Sequence, residues 1–161
     1  MNTFIDQIIK SKPYFIAEIG INHNGDMVLA KEMVDAAYES GADCVKFQSF
    51  IADNYISEFA PKANYQNSDA TVNNFSQREI IKKCELSTKQ AIDLKSYAEK
   101  KNIHFLSTPF ELESFRALIS IKVDAIKISS CNLTNIPFLE EVADCKIPTL
   151  LSTGMGNLGE V

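Results

Sequence analysis

A parallel α/β fold is what this sequence predicts, on three observations. Short runs rich in Ile, Val, Phe and Leu recur at "YFIAEIG", "CVKFQSF", "IHFLSTPF", "AIKISS" and "PTLLST". Each is followed by a segment able to form a helix, which is the β-then-α rhythm of a parallel sheet. The 161 residues, with 45% hydrophobic content, suffice for one globular domain with a core, and no linker divides them.

The first strand opens "FIAEIGINHNGD", apolar at first, with an acid at Glu18 and then the polar run Asn22, His23, Asn24 and Gly25. Gly25 reads as backbone permissiveness at a turn. The first helix is expected over about Met27 to Glu39, with Leu29, Met33 and Ala36/Ala37 as its apolar stripe and Gly41 as its stop. After the second strand come some 25 polar, Asn-rich residues from Phe50 on, far beyond the roughly 2–6 of an ordinary βα loop. Loops of that length are usually functional or disordered, and this one leaves the strand end where parallel folds gather their sites. The second helix runs from about Thr88 to Lys100, with Ser87 and Gln90 spaced as a capping box. His104 starts the third strand and reads as a satisfied or exposed histidine. Leu112, Phe115 and Ile119 give the third helix its apolar face. The fourth starts near Pro137 and turns Leu139 and Val142 inward. "LGEV" reads as the opening of a fifth.

Composition removes several function classes. With 16 Lys+Arg against 21 Asp+Glu the formal charge is -5, so no global basic field favours nucleic acid. The N-terminus carries Asp6 within its apolar part, and no apolar run approaches the ~18 residues of a membrane span, which predicts a cytoplasmic protein without a membrane partner. The cysteines Cys44, Cys84, Cys131 and Cys145 form no CxxC pair and read as reduced thiols.

Polar residues fall in or at the C-terminal ends of the proposed strands: Glu18, Lys46, Gln48, Ser107, Thr108, Lys127, Ser129, Ser130, Ser152 and Thr153. Parallel strands would bring these groups to one end of the sheet. Two lysines and several hydroxyls there suit an anion such as phosphate or carboxylate. Glu18 could also pair with one of the lysines, and His23 either contacts substrate or stabilises its turn.

The blocks "AEIGINHNGD", "GADCVKFQSF", "APKANYQ", "FLSTPF", "IKISSCNLTNIP" and "LSTGMGNLGEV" resemble, in order and spacing, the N-terminal half of the sialic acid (N-acetylneuraminate) synthase family. The resemblance implies a TIM (β/α)8 barrel, present here in part as about five parallel strands with intervening helices. Such a barrel takes about 250 residues. Residues 1–161 are thus expected to be a truncated N-terminal part, with the later strands and the family's small C-terminal antifreeze-like domain absent. In the family that domain reaches into a partner's active site, so a homo-oligomer is expected.

What the resemblance implies chemically is condensation of phosphoenolpyruvate with N-acetylmannosamine or a related amino sugar, giving a nonulosonic acid and phosphate. Glu18, Lys46 and Lys127 are the expected catalytic residues. Asn22, His23, Gln48, Asn64, Thr108, Ser130 and Ser152 are the expected substrate-binding ones. Glu18 and Gln48 belong to the sugar side, the Asn22–Gly25 turn to its rim, and Asn64 to the loop closing over it. Lys46, Thr108, Lys127, Ser130 and Ser152 belong to phosphoenolpyruvate. A divalent metal, Mn²⁺ or Mg²⁺, is expected of the full-length enzyme, with its ligands outside this chain, so the chain alone is expected to be inactive. Cys131 and Asn132 stand where the family commonly has glycine and an acid. Alternatives are a noncatalytic half-barrel remnant that self-associates, a legionaminic acid or spore-coat polysaccharide synthase, and another phosphate-binding TIM-barrel lyase.

Overall fold

The computed structural model describes residues 6, 8, 13–62 and 75–161. Its strands are β1 (Ile16–Gly20), β2 (Cys44–Ser49), β3 (His104–Pro109), β4 (Ile126–Ile128) and β5 (Thr149–Leu151). Its helices are α1 (Met27–Glu39), α2 (Ala52–Tyr55), α3 (Gln77–Lys82), α4 (Thr88–Lys100), α5 (Leu112–Ser120) and α6 (Ile136–Asp144), with a 3-10 turn at Ser130–Asn132. Every strand pairing is parallel. The backbone ladder nevertheless falls into two sheets, β1-β2-β3 and β4-β5, where the sequence predicts one. At the break β3 and β4 still touch, and Asn132 Nδ2 donates to Phe110 O at 3.3 Å across it.

Strand residues alternate between two faces. One set, including Val45, Phe47, Phe105, Ile126 and Ile128, packs against the helices and forms the main core. The other set faces inward, where Cys44, Leu106 and Ala125 form a smaller cluster with Tyr14, Ile16 and Leu150 at the N-terminal end of the strands. His104 is satisfied there, its Nδ1 lying 2.5 Å from the Tyr14 hydroxyl.

The helices follow local signals. Asp26 caps α1 by accepting from Val28 N and Leu29 N, and capping boxes start α3 (Ser76 with Glu79) and α4 (Ser87 with Gln90). The buried stripe of α1 is Ala30, Val34 and Ala37, at i, i+4 and i+7; of the expected stripe Ala37 is buried and Met33 packs half-buried against the same core, while Leu29 is half-buried and Ala36 is exposed. Leu112, Ile119 and Leu139 line the main core, and Phe115 and Phe138 meet edge-on at 6.0 Å inside it. Residues 158–160 form a turn, not a helix, yet the exchange of a first helical turn is made: Asn157 Oδ1 accepts from Gly159 N and Glu160 Oε2 accepts from Asn157 N, both at 2.8 Å.

Candidate functional site

Glu18, Lys46, Gln48 and Thr108 lie on three adjacent strands, with Glu18 opposite Lys46 and Gln48 opposite Thr108 in the parallel register. All four project from the inner face, beyond the apolar Cys44–Leu106 layer and toward the strands' C-terminal ends. Lys46 Nζ forms an ion pair with Glu18 Oε2 and donates to Thr108 Oγ1 at 3.3 Å. The lysine side chain is only 12% exposed, whereas that of Glu18 is 49% exposed. Burial makes Lys46 depend on these partners, while the acid keeps a path to solvent.

Gly20 makes room for this corner. It sits at φ +57°, just after a register shift in β1, and a Cβ there would lie 3.1 Å from Glu18 Oε1 and 3.4 Å from Gln48 Nε2. Glu18 and Gln48 therefore crowd one spot.

Lys127, on β4, takes the next inward position. Burial lowers its pKa, the positive charge of Lys46 lowers it further, and Glu18 and Cys131 act in the opposite sense. That mutual influence places the two lysines at the same end of the fold. Ser130 opens the 3-10 turn just beyond β4, and a Cβ on Gly154 would come within 3.4 Å of its Oγ, so the segment after β5 folds against it. Ser152 is tied to β4 by its backbone, which donates to Ile128 O at 3.0 Å. The Lys46 ammonium thus joins the Glu18 carboxylate to the Thr108 hydroxyl, with Lys127 on the inner face of β4 and Ser130 and Ser152 just beyond β4 and β5, an arrangement that can neutralise a multiply charged anion and orient a polyol beside it.

Of the other expected members, His23 stands apart. His23 is fully buried, packed at 5.9 Å against Phe47 on the helix side, and its Nδ1 accepts from Gly25 N at 3.0 Å; of its two readings, the turn is the one the geometry supports. Burial lowers its pKa, and its Nε2 is buried without a partner. Asn22 is exposed in the same turn, its N–H donating to Ile19 O at 3.1 Å. Asn64 lies outside the described residues. Ser107, grouped by sequence with Thr108, faces the helices and shares a 2.8 Å hydrogen bond with Ser49, because adjacent strand residues point oppositely.

The structure also adds residues to the rim. Glu111 Oε1 accepts from Ile51 N at 3.3 Å while the same carboxylate caps α5 through Glu113 N and Ser114 N, and Glu85 Oε1 accepts from Ala52 N. These two acids brace the exit of β2. Glu111 could have been suspected as an acid directly before the apolar period of α5; Glu85 carries no local signal. Tyr55 packs on Phe110 beside them, the rings tilted by 45° with centroids 4.6 Å apart. Cys131 is exposed and does not have a left-handed backbone, so its position does not demand glycine. A separate recess of about 520 Å³ between α4 and α5 contains none of the inner-face residues.

Among the described residues, no group of three or more His, Cys, Asp and Glu side chains could hold a metal ion.

Known proteins match this arrangement. The chain is 49% identical over 150 residues to the N,N'-diacetyllegionaminic acid synthase of Campylobacter jejuni, covering 93% of this chain and 45% of that protein. The enzyme of the same description from Legionella pneumophila is 46% identical over 148 residues, covering 92% and 41%. The chain therefore spans less than half the length of these relatives. The crystal structure of N-acetylneuraminic acid synthetase from Leptospira borgpetersenii, in complex with citrate, superposes with a TM-score of 0.78 at 34% identity, over 92% of this chain and 47% of that one. The fold is accordingly part of a TIM-type (β/α)8 barrel. The NeuB family profile matches residues 33–161, and the chain belongs to that family.

Proposed function

We propose that this chain forms the donor-binding part of a nonulosonic acid synthase, an enzyme that condenses phosphoenolpyruvate with an N-acetylated amino sugar. The observation that carries the reading is the hydrogen bond of Lys46 to Thr108 at the C-terminal end of parallel strands, with Lys127 on the inner face of β4 near enough for the two positive charges to influence each other. In the reaction the methylene carbon of phosphoenolpyruvate attacks the aldehyde of the open-chain sugar. The C2 centre becomes cationic, water captures it and phosphate departs. Lys46 and Lys127, with Thr108, Ser130 and Ser152, would balance the charge of the phosphate and carboxylate throughout. Glu18 and Gln48 would hold sugar hydroxyls, with Asn22 at the rim.

For the acceptor, the relatives at 49% and 46% identity favour an amino sugar bearing two N-acetyl groups over N-acetylmannosamine. The divalent metal expected of such synthases would take its ligands from outside the described residues. A cytoplasmic, homo-oligomeric enzyme fits this reading; no helix among the described residues is long and apolar enough to cross a membrane.

Isothermal titration of phosphoenolpyruvate into the chain tests the donor site. Lys127→Met should weaken binding about ten- to hundredfold, the range for losing a charge-assisted contact. Equal affinity in the variant would reject the assignment.

A further inference from the structure

The ion pair between Glu18 and Lys46 does more than hold two strands together. Lys46 is the less exposed member of the pair, and its ammonium is already bound to the Glu18 carboxylate and to Thr108 Oγ1. Lys127, by contrast, makes no ion pair among the described residues. The resting corner therefore presents one ammonium held in an ion pair and one outside any. An incoming phosphate or carboxylate that reached Lys46 would meet Glu18 Oε2 on the same nitrogen, and two anions on one ammonium repel each other. Glu18 can yield, because its side chain is 49% exposed and Gly20 adds no side chain beside its other oxygen.

We propose that Glu18 is a built-in counter-anion that occupies Lys46 until a ligand anion displaces it, so that it restrains anion affinity at this site. The inference rests on the donor-site reading above. A monovalent or singly anchored anion gains Lys127 but must compete for Lys46. A ligand with two separated anionic groups can engage Lys127 with one and displace Glu18 with the other. The device therefore selects for ligands with two separated anionic groups, of the phosphoenolpyruvate kind, over free phosphate, and a displaced Glu18 becomes available to accept hydrogen bonds from a neighbouring polyol.

The test is titration of phosphoenolpyruvate and, separately, of inorganic phosphate into the wild-type chain, Glu18→Gln and Glu18→Ala, with thermal melting to establish that each is folded. Removal of the charge should tighten binding of both anions, by about tenfold for phosphate, and the gap to wild type should narrow between about 20 and 300 mM salt as charges are screened. Tightening in either variant, including binding that appears only in the variants, supports the proposal. Affinity that is unchanged or weaker in both variants while the wild type binds overturns it and leaves the donor site standing. No binding of either anion by any of the three proteins removes the donor site itself, and the proposal with it.

Discussion

At Gly25 two constraints coincide. Its φ is +81°, and a Cβ there would come within 2.1 Å of Lys83 O, a backbone atom with little freedom to retreat. Gly25→Ala should therefore cost more than the ~1 kcal/mol of an ordinary left-handed position, about 2–4 kcal/mol in urea unfolding. A loss below about 1 kcal/mol would mean that the turn and Lys83 separate freely. Lys127 shows the opposite balance between stability and function. Its pKa lies below the usual lysine value of about 10.4 in the folded chain, first through burial and then through Lys46. Between the folded and unfolded values the unfolded chain holds more protons, so stability rises with pH across that window. At neutral pH the charge is thus a burden on the fold. Lys127→Met, besides losing phosphoenolpyruvate, should unfold at higher urea than wild type at pH 7, with the advantage fading as pH approaches about 10.4. An advantage that grows with pH would contradict the sign. Lys46, Thr108 and Lys127 were legible as a set because strand ends converge whenever strands are parallel. Ser107 and His23 were not, because which face a residue takes depends on register and on the path of the turn.

Carboxylates join the elements at the mouth, beside the aromatic cluster of Phe50, Tyr55 and Phe110. Glu111 caps α5 and also accepts from Ile51 N, so one side chain ties the exits of β2 and β3 together. The short α2 that follows is fixed again by Asp53, which accepts from Arg78 Nε at 2.9 Å and from Lys82 Nζ at 2.8 Å. Glu111→Ala removes a cap and a cross-brace at once and should destabilise by about 1–3 kcal/mol. Hydrogen exchange at Ile51 should rise in that variant; protection equal to wild type would mean that Glu85 alone holds the segment. Helix positions were readable from caps and periods: Ser87 with Gln90, Pro137 in a first turn, Gly41 after α1. The helix α2 within the polar interval and α3 just after it were not foreseen, although Ser76 and Glu79 have capping-box spacing. Four- and six-residue helices carry too few apolar positions to show a period.

For the molecule as a whole, the inner face is layered: apolar at the N-terminal end of the strands and charged at the other. That layering follows from residues two apart along β2, Cys44 then Lys46 then Gln48, and was open to reading once the strands were taken as parallel. The interruption between β3 and β4 was not, since hydrophobic runs locate strands but do not fix how far each ladder extends. Both outer edges matter for behaviour in solution. Among the described residues neither β1 nor β5 has a strand on its outer side. Next to these edges Phe15 is 63% exposed, Leu151 44%, Met155 102% and Leu158 98%. An unpaired edge flanked by apolar side chains is a template for a second copy, and burying several hundred Å² at about 25 cal/mol per Å² is worth many kcal/mol. The chain should therefore self-associate, with a weight-average mass in sedimentation that climbs with concentration. Leu151→Lys, which puts a charge on the edge of β5, should shift that curve toward monomer without lowering the thermal midpoint, because the residue is already half exposed. Wild-type chain that sediments as a monomer at every concentration would show that these edges are covered within one copy.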